Sequence, residues 1–444
     1  MNVKRTLLRT ALLGSAALPL MSAPTAFAQQ GVGGFPGSMA IPGTSTSLKI
    51  GGYVKTDYIY DFGVAQSVST AGITGALVSA IPLDGNVPGT SATAGHSVHG
   101  ASHISAGESR FNIETRTPSA YGEIKTFIEG DFENPSGLTP GKTFEVNSDS
   151  SGFRLRLAYG TLGPFLMGQA PPLFRDTQAE PETLDFGGTI AAGPLRQPQF
   201  RYTYDLGNGL SVAGSIENPD TFVIDGTSLA SATNTTFGAG QGDKIPDFVA
   251  AATYNQPWGH LSFRSVFRDL YWHAGGATGG TTGTNVSQSQ FGWGLGLSGD
   301  LMTWGKDDLV GQINGGDGIG RYSNNAGLVQ DAVLNANTNT LQNLQIWDAS
   351  IAYLHWWTDK LRSTVEGSYL QVDNPRNAFT TAALNSSTGF GQLNRNLITS
   401  HLNLIWSPVP AVDTGVEYIW ERRRTENGQE GVLNRFQASA KFKF

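Results

Sequence analysis

The last nine residues, Phe436 to Phe444, read F-Q-A-S-A-K-F-K-F. On an extended strand successive side chains point to opposite faces. Phe436, Ala438, Ala440, Phe442 and Phe444 therefore share one face, and Gln437, Ser439, Lys441 and Lys443 share the other. A strand divided so strictly borders an apolar medium on one side and a polar one on the other. It ends on a bare phenylalanine carboxylate. In an exported chain, that reads as the closing strand of a transmembrane β-barrel.

The start of the chain supplies the export. Lys4, Arg5 and Arg9 form a basic segment, Leu7 to Met21 is mostly apolar, and Ala26-Phe27-Ala28 is an A-x-A cleavage site. Residues 1–28 read as a signal peptide, with the mature chain starting at Gln29. The apolar run is too short for the ~20 residues a membrane helix needs, and no later run reaches that length. The chain has no cysteine, so neither disulfides nor thiolate-based zinc sites contribute to its stability. Losing Lys4, Arg5 and Arg9, and no acid, lowers the formal charge from -7 to -10. Nucleic acid, which wants a basic excess, is thereby excluded as a partner.

Residues 29–46 are rich in Gly, Pro, Ser and Thr and read as a flexible leader. From there to the C-terminus, 47–444, alternating segments of about ten residues recur, the signature of transmembrane barrel strands. They fall at 48–62, 107–117, 120–133, 152–160, 164–170, 198–206, 209–218, 246–256, 259–272, 289–301, 306–316, 343–357, 360–373, 394–407, 411–424 and 432–444. The connections alternate in length. Short ones such as Pro118-Ser119, Gly207-Asn208 and Thr358-Asp359 alternate with long ones such as 63–106, 171–197 and 317–342. An all-β, antiparallel, up-and-down barrel of about sixteen strands has this pattern, with short turns on the periplasmic rim and long loops outside. A soluble β-sandwich lacks it.

The alternation assigns faces. Phe111, Ile113 and Thr115 are expected outside, with Arg110, Asn112, Glu114 and Arg116 inside. Phe153, Leu155, Leu157 and Tyr159 are expected outside, with Arg154 and Arg156 inside. A one-residue slip would put arginines into hydrocarbon at ~2–4 kcal/mol each near the midplane, which fixes the register. Tyr58, Tyr60, Tyr271, Trp272, Trp356, Trp357, Trp406 and Trp420 lie near segment ends, as in interfacial girdles.

No P-loop, H-E-x-x-H or G-x-S-x-G motif is present. His96, His99 and His103 lie close together, but in a Gly/Ser/Ala-rich connection where a solvated loop is expected, so no metal or cofactor is assigned. The informative set is basic and inward-facing: Arg110, Arg116, Arg154, Arg156, Arg201, Arg264 and Arg268, joined on the last strand by Arg435, Lys441 and Lys443. Such a stripe attracts anions, and an arginine fork matches a carboxylate. The strands that carry Arg154, Arg156 and Arg201 hold few acids of their own. The connection 171–197 is amphipathic, with Leu173, Phe174, Leu184 and Phe186 among Arg175, Asp176, Glu180, Glu182 and Asp185. It is expected to fold into the lumen, with its acids facing the arginine wall across a constriction.

These blocks resemble a known family. Gly51-Gly52-Tyr53-Val54-Lys55-Thr56-Asp57, Glu108-Ser109-Arg110-Phe111 and Ile128-Glu129-Gly130-Asp131-Phe132 are followed by Leu155-Arg156-Leu157-Ala158-Tyr159-Gly160. Pro181-Glu182-Thr183-Leu184-Asp185-Phe186 and Arg196-Gln197-Pro198-Gln199-Phe200-Arg201-Tyr202 complete the set. In order and spacing, from about Leu48 to Phe444, the chain is similar to the DcaP-type outer-membrane porins. The resemblance implies a homotrimer of sixteen-stranded barrels passing small anions, dicarboxylates among them. It implies that Arg110, Arg156, Arg196 and Arg201 face the constriction, and that Glu182 and Asp185 belong to the inward loop. Residues 29–46 lack heptads, so the periplasmic coiled coil of some relatives is absent here. The expected function is an outer-membrane diffusion channel favouring organic anions. The alternatives are a non-conducting adhesin or structural barrel and a barrel enzyme such as a phospholipase, which needs a Ser/His pair at the lipid face.

Overall fold

The computed structural model describes residues 33–62, 78, 81, 83, 100–133, 152–191, 195–226, 243–274, 286–323, 329–386 and 389–444. The export segment, His96, His99 and much of the long connections lie outside the described residues.

Alternating sequence gives strands throughout. After a two-residue β1 (Met39–Ala40), β2 (Ser47–Phe62) begins the wall. It continues through β3 (Ala101–Ser105), β4 (Arg110–Ser119), β5 (Gly122–Asp131), β6 (Arg154–Leu162), β7 (Phe165–Ala170), β8 (Gln197–Gly207) and β9 (Leu210–Glu217). Beyond a short β10 (Val223–Asp225) come β11 (Asp247–Gln256), β12 (Gly259–Ala274), β13 (Val286–Met302) and β14 (Asp308–Asp317). Two further short strands, β15 (Ala332–Asn335) and β16 (Thr340–Asn343), precede β17 (Gln345–Thr358), β18 (Leu361–Asp373), β19 (Asn394–Val409), β20 (Val412–Thr425) and β21 (Glu430–Lys443).

Each wall strand pairs antiparallel with the next, and β21 pairs with β2 from Tyr53↔Lys443 to Phe62↔Asn434, closing the sheet. β3 and β4 both pair with β2 and together make one stave, so the closed barrel has sixteen. Closure removes every edge, as a sheet in hydrocarbon requires. Short turns hold one rim. Asn208 and Gly209 both have positive φ, the two-residue hairpin geometry that Asn-Gly favours. The leader packs on that rim: Met39↔Leu48 pair, and the Arg116 guanidinium lies 4.5 Å from the Phe35 ring centroid.

The closing strand follows its pattern. Phe442 is 55% exposed, whereas Arg435 and Gln437 are at 1% and 2%. Tyr121, Trp258, Trp304, Trp357 and Trp406 are exposed next to short turns and suit a headgroup-level girdle. Two expected girdle residues lie elsewhere. Trp272 packs with Val223 against the Leu270, Ala332 and Leu341 cluster, and Trp356 stacks inward under Arg362.

Two differences have physical causes. First, Leu157 and Tyr159 do not face outward. The ladder slips between Glu129↔Leu157 and Gly130↔Leu155, leaving Arg156 as the extra residue of a β-bulge. A bulge inverts the alternation beyond it. Tyr159 accordingly packs on Phe127, in the row that contains Lys125 and Glu129, while Arg154 and Arg156 both reach the lumen. A Cβ at Gly130 would meet Phe153 and the Arg154 carbonyl, so the bulge needs glycine opposite it. Second, the inner face is not polar throughout. Val249, Val266, Ile346, Leu370, Val372, Leu397, Ile419 and Leu433 are inward and buried. They pack against Phe174, Ile190, Ile319, Val333, Phe379 and Phe390 from the connections, beside a small β10–β15–β16 sheet. That half of the lumen is a hydrophobic core.

Arg435, expected to extend a positive lumen, is instead clamped by Asp61 at 2.6 and 3.0 Å, with Asp185 at 3.9 Å. Lys443 is likewise paired, with Asp413 at 2.8 Å. Arg435→Met would remove the cation that clamps the buried Asp61 carboxylate, at a cost of about 3–5 kcal/mol. The urea midpoint for loss of the folded, heat-modifiable band should fall accordingly.

Candidate functional site

Residues 171–191 run inside the barrel, held by wall side chains around most of its circumference. The Leu173 N–H donates to Glu217 on β9, and Arg264 on β12 donates to the Phe174 carbonyl. The Asp176 carboxylate meets His260 Nε2 at 2.8 Å and the Ser298 hydroxyl. Glu182 takes two bonds of 2.6 Å from Arg362 on β18. The apex is held most firmly. Leu184 and Asp185 N–H groups donate to the two oxygens of Glu417 at 2.7 and 3.1 Å, and His401 Nδ1 lies 3.0 Å from the same carboxylate. Lys55 and Gln437 donate to the Leu184 carbonyl. Returning, Thr189 bonds Glu366, and the Ile190 N–H reaches Ser368.

The loop's acids do not face the arginine wall. Asp176, Glu182 and Asp185 bind His260, Arg362 and Arg435, and Glu180 pairs with Arg175 within the loop at 2.8 Å. Across from the wall stands Phe186, whose ring lies 5.3 Å from Arg154 and 5.8 Å from Arg156. Apolar contacts of the loop with the inner core leave its carboxylates to the cations of the far strands. Burial alone would push the Asp176 carboxyl up. The Ser298 and His260 hydrogen bonds and the His260 and Arg264 charges more than offset this and hold it below its ordinary range. A depressed carboxylate stabilises the fold above its unfolded pKa, about 3.9, and that stability is lost as pH falls through the lower folded value. Asp176→Asn should therefore flatten the decline of the thermal midpoint below about pH 4.

The arginines separate by location. Arg154 makes two bonds to Asp131, at 2.9 and 2.8 Å; Arg156 bonds Glu129 at 3.0 Å and Asp131 at 2.8 Å; Arg110 is 3.5 Å from Glu129. The acids that partner Arg154 and Arg156 come from β5, which neighbours their strand, so the scarcity of acids on β6 itself does not leave them free. Arg201 has neutral partners, Gln199 at 2.9 Å and the Pro171 carbonyl at 2.7 Å. Arg196, at the loop's return, has no carboxylate or hydrogen-bond partner among the described residues. Burial, and then the charges of Arg156, Arg175, Arg154 and Arg110, push its guanidinium well below the ordinary value. A guanidinium keeps its proton in a protein, so Arg196 stays charged among these cationic neighbours. Arg264, 1% exposed beneath Phe174, is a loop anchor closed to solutes. Arg116 lies at the short-turn rim, paired with Glu114 and Glu123.

Sequence reading did not single out Lys55, Arg362, His401 or Glu417. Each is a polar residue at an inward strand position, but which of these the loop touches depends on where it lands.

A family model described as the porin subfamily matches residues 33–394. No curated protein compared matches the chain. Among solved structures, the outer membrane channel DcaP of Acinetobacter baumannii is similar, with a TM-score of 0.68, 21% identity, and 90% of this chain and 98% of that one covered. Salmonella typhi OmpF in complex with daunomycin gives a TM-score of 0.51 at 10% identity, covering 91% and 100%. A loop-deletion mutant of the Vibrio cholerae outer membrane protein OmpT gives 0.50 at 12%, covering 90% and 100%. At these identities the structures share the fold. The closed barrel and the family match together place the chain in the porin subfamily, as a channel-forming barrel of the bacterial outer membrane.

Proposed function

We propose that the protein is a passive diffusion channel for small hydrophilic solutes that favours organic anions, dicarboxylates among them. The observation that carries this is a charge imbalance. Arg110, Arg154, Arg156, Arg175, Arg196 and Arg201 gather where the loop leaves and rejoins the wall, with only Glu129, Asp131 and Glu180 paired to them among the described residues. Six cations meet three acids there, and Arg196 and Arg201 are the two with no carboxylate in ion-pair distance, which a carboxylate solute would supply. The loop narrows the passage, and its fixed position sets the size limit. No chemistry is required of the protein.

We read the assembly as a homotrimer, in line with the family resemblance. The outward faces of β2, β4 and β5 carry Thr56, Thr115 and Thr126, and Thr115 and Thr126 share a hydroxyl bond of 2.6 Å. Small and hydroxylated residues suit helix or strand contact with another subunit better than contact with acyl chains. The enzyme alternative has one foothold on the outer face: His355 beside Asp307, at 2.7 Å, with Ser363 cross-strand. The Ser363 hydroxyl instead accepts the Trp357 indole N–H at 2.9 Å, and no hydrogen bond joins it to His355. Planar-bilayer recording in a salt gradient tests the channel reading. Conductance in steps of three with an anion-signed reversal potential is expected, and a silent bilayer would favour the adhesin.

A further inference from the structure

The most exposed tryptophan of the chain, Trp304 at 78%, stands in the β13–β14 turn beside an open hollow of about 690 Å³. The hollow lies between that turn and the β17–β18 turn. Lys306, Asp307, His355, Trp356 and Asp359 line it with Trp304. Short turns of such barrels lie on the periplasmic side. β13 and β14 stand across the barrel from β4 and β5, so the hollow faces lipid rather than the subunit contact proposed above.

Its polar groups are held in place. Asp307 accepts the Trp356 backbone N–H at 2.8 Å and the Tyr353 hydroxyl at 2.9 Å, and lies 2.7 Å from His355 Nδ1. His355 continues the outward row of Trp347 and Ile351, 45% and 60% exposed. The Trp357 ring packs edge-on against the imidazole, with centroids 4.4 Å apart. The ring is thereby fixed, and its Nε2 has no hydrogen-bond partner among the described residues. Lys306 Nζ lies 2.9 Å from Asp359 and 5.3 Å from the Trp356 ring centroid. These two charged side chains are 59% and 89% exposed. An exposed pair of this kind contributes little stability, so a ligand can take both of its ends.

We propose that the hollow holds the headgroup of a periplasmic-leaflet phospholipid that carries a phosphate and a primary ammonium. The phosphate lies against the Lys306 ammonium and the edge of the His355 ring. The lipid ammonium lies against Asp359, and the Trp304 indole covers the boundary with the acyl chains. Charge selects this occupant. One lysine faces two carboxylates, Asp307 and Asp359, which oppose a purely anionic headgroup and suit one that brings its own cation. Level selects it too, because exposed Trp258, Trp357 and Trp406 mark the same rim as a headgroup-level girdle. The site rests on the membrane barrel and not on the anion preference proposed above.

Native mass spectrometry tests it on the whole barrel, released from nanodiscs of phosphatidylethanolamine and phosphatidylglycerol in equal amounts with matched acyl chains. The unaltered protein should retain phosphatidylethanolamine over phosphatidylglycerol by about threefold, the scale of an exposed charge pair. Lys306→Gln should cut retention of both lipids. Asp359→Asn should erase the preference while leaving phosphatidylglycerol as it was. Both residues are exposed in turns, so both variants should fold. Lys360→Ala is the control: Lys360 stands in the same turn as Asp359 but donates to the Pro408 carbonyl at 2.8 Å, and its loss should change nothing. Equal retention of the two lipids by the unaltered protein, or its pattern persisting in both variants, overturns the proposal. Displacement of the lipid by excess inorganic phosphate would mark a free-phosphate site and overturns it as well. None of these measurements reads conductance, so the proposal can fail while the channel reading stands.

Discussion

Replacing Arg196 and Arg201 together with glutamine is expected to bring the channel close to non-selective. Neither cation has a carboxylate within ion-pair distance among the described residues, and Arg201 feels the buried Glu217 only at longer range. One charge 4 Å from an ion is worth about 1 kcal/mol in a water-like medium, so two give about 2 kcal/mol, or roughly thirtyfold in anion-to-cation permeability. The reversal potential in a potassium chloride gradient reads this directly. The difference should shrink toward 1 M salt, where the screening length falls to about 3 Å. Arg154→Gln is the informative control. Its guanidinium is tied to Asp131 by two bonds, so the substitution removes a cation whose charge that carboxylate already offsets, and Asp131 stays paired with Arg156. A double lysine variant should keep selectivity but weaken retention of a dicarboxylate, because an ammonium cannot make the bidentate pair. If the double glutamine variant retains the wild-type reversal potential, the anion reading fails.

The second large effect is expected from Glu417→Ala. Glu417 accepts two consecutive N–H groups of the loop apex and pairs with His401, all away from solvent. Removing one partner of a buried charge pair costs about 3–5 kcal/mol. An ordinary neutral hydrogen bond, such as Ile190 to Ser368, contributes about 1 kcal/mol. The apex should detach before the barrel does, because the wall is closed by its own ladders. Single-channel recording should then show larger and noisier conductance, with the folded fraction in a gel-shift assay unchanged. Glu417→Gln keeps one acceptor oxygen and should fall between. Wild-type conductance and noise in the alanine variant would show that the loop does not limit the passage.

Much of this protein is legible in its pattern because a barrel in a membrane has a simple local rule. Each strand separates two media, and the period of two carries the whole assignment. The expected segments 198–206 and 411–424 lie within a residue of β8 and β20. The rule fails where the backbone itself departs from it. Arg156 looks like any inward arginine in sequence, and nothing local marks it as a bulge that turns Leu157 and Tyr159 inward. β15 and β16 are similarly illegible, because they pair only within the connections and against the inner core, where no medium imposes an alternation.

The site divides the same way. The arginines, and a loop amphipathic enough to require burial, could be named from residues alone. Which carboxylate meets which cation could not, because those partners are far apart in sequence: Glu182 with Arg362, Asp185 with Arg435, Thr189 with Glu366. The expected face-off between loop acids and arginine wall was reasonable on charge. It fails because Phe174 and Ile190 bind the loop to the apolar half of the lumen and turn its acids toward the far strands.

By itself, then, the sequence determined the sixteen-stave wall and its two faces, from Phe436–Phe444 back to β2, because alternation is enforced residue by residue by the media on either side. Only the tertiary structure decided which inward charges remain unpaired. Charge cancellation depends on distances of a few ångströms between strands, and those are set by closure, by the bulge at Arg156 and by where the loop comes to rest.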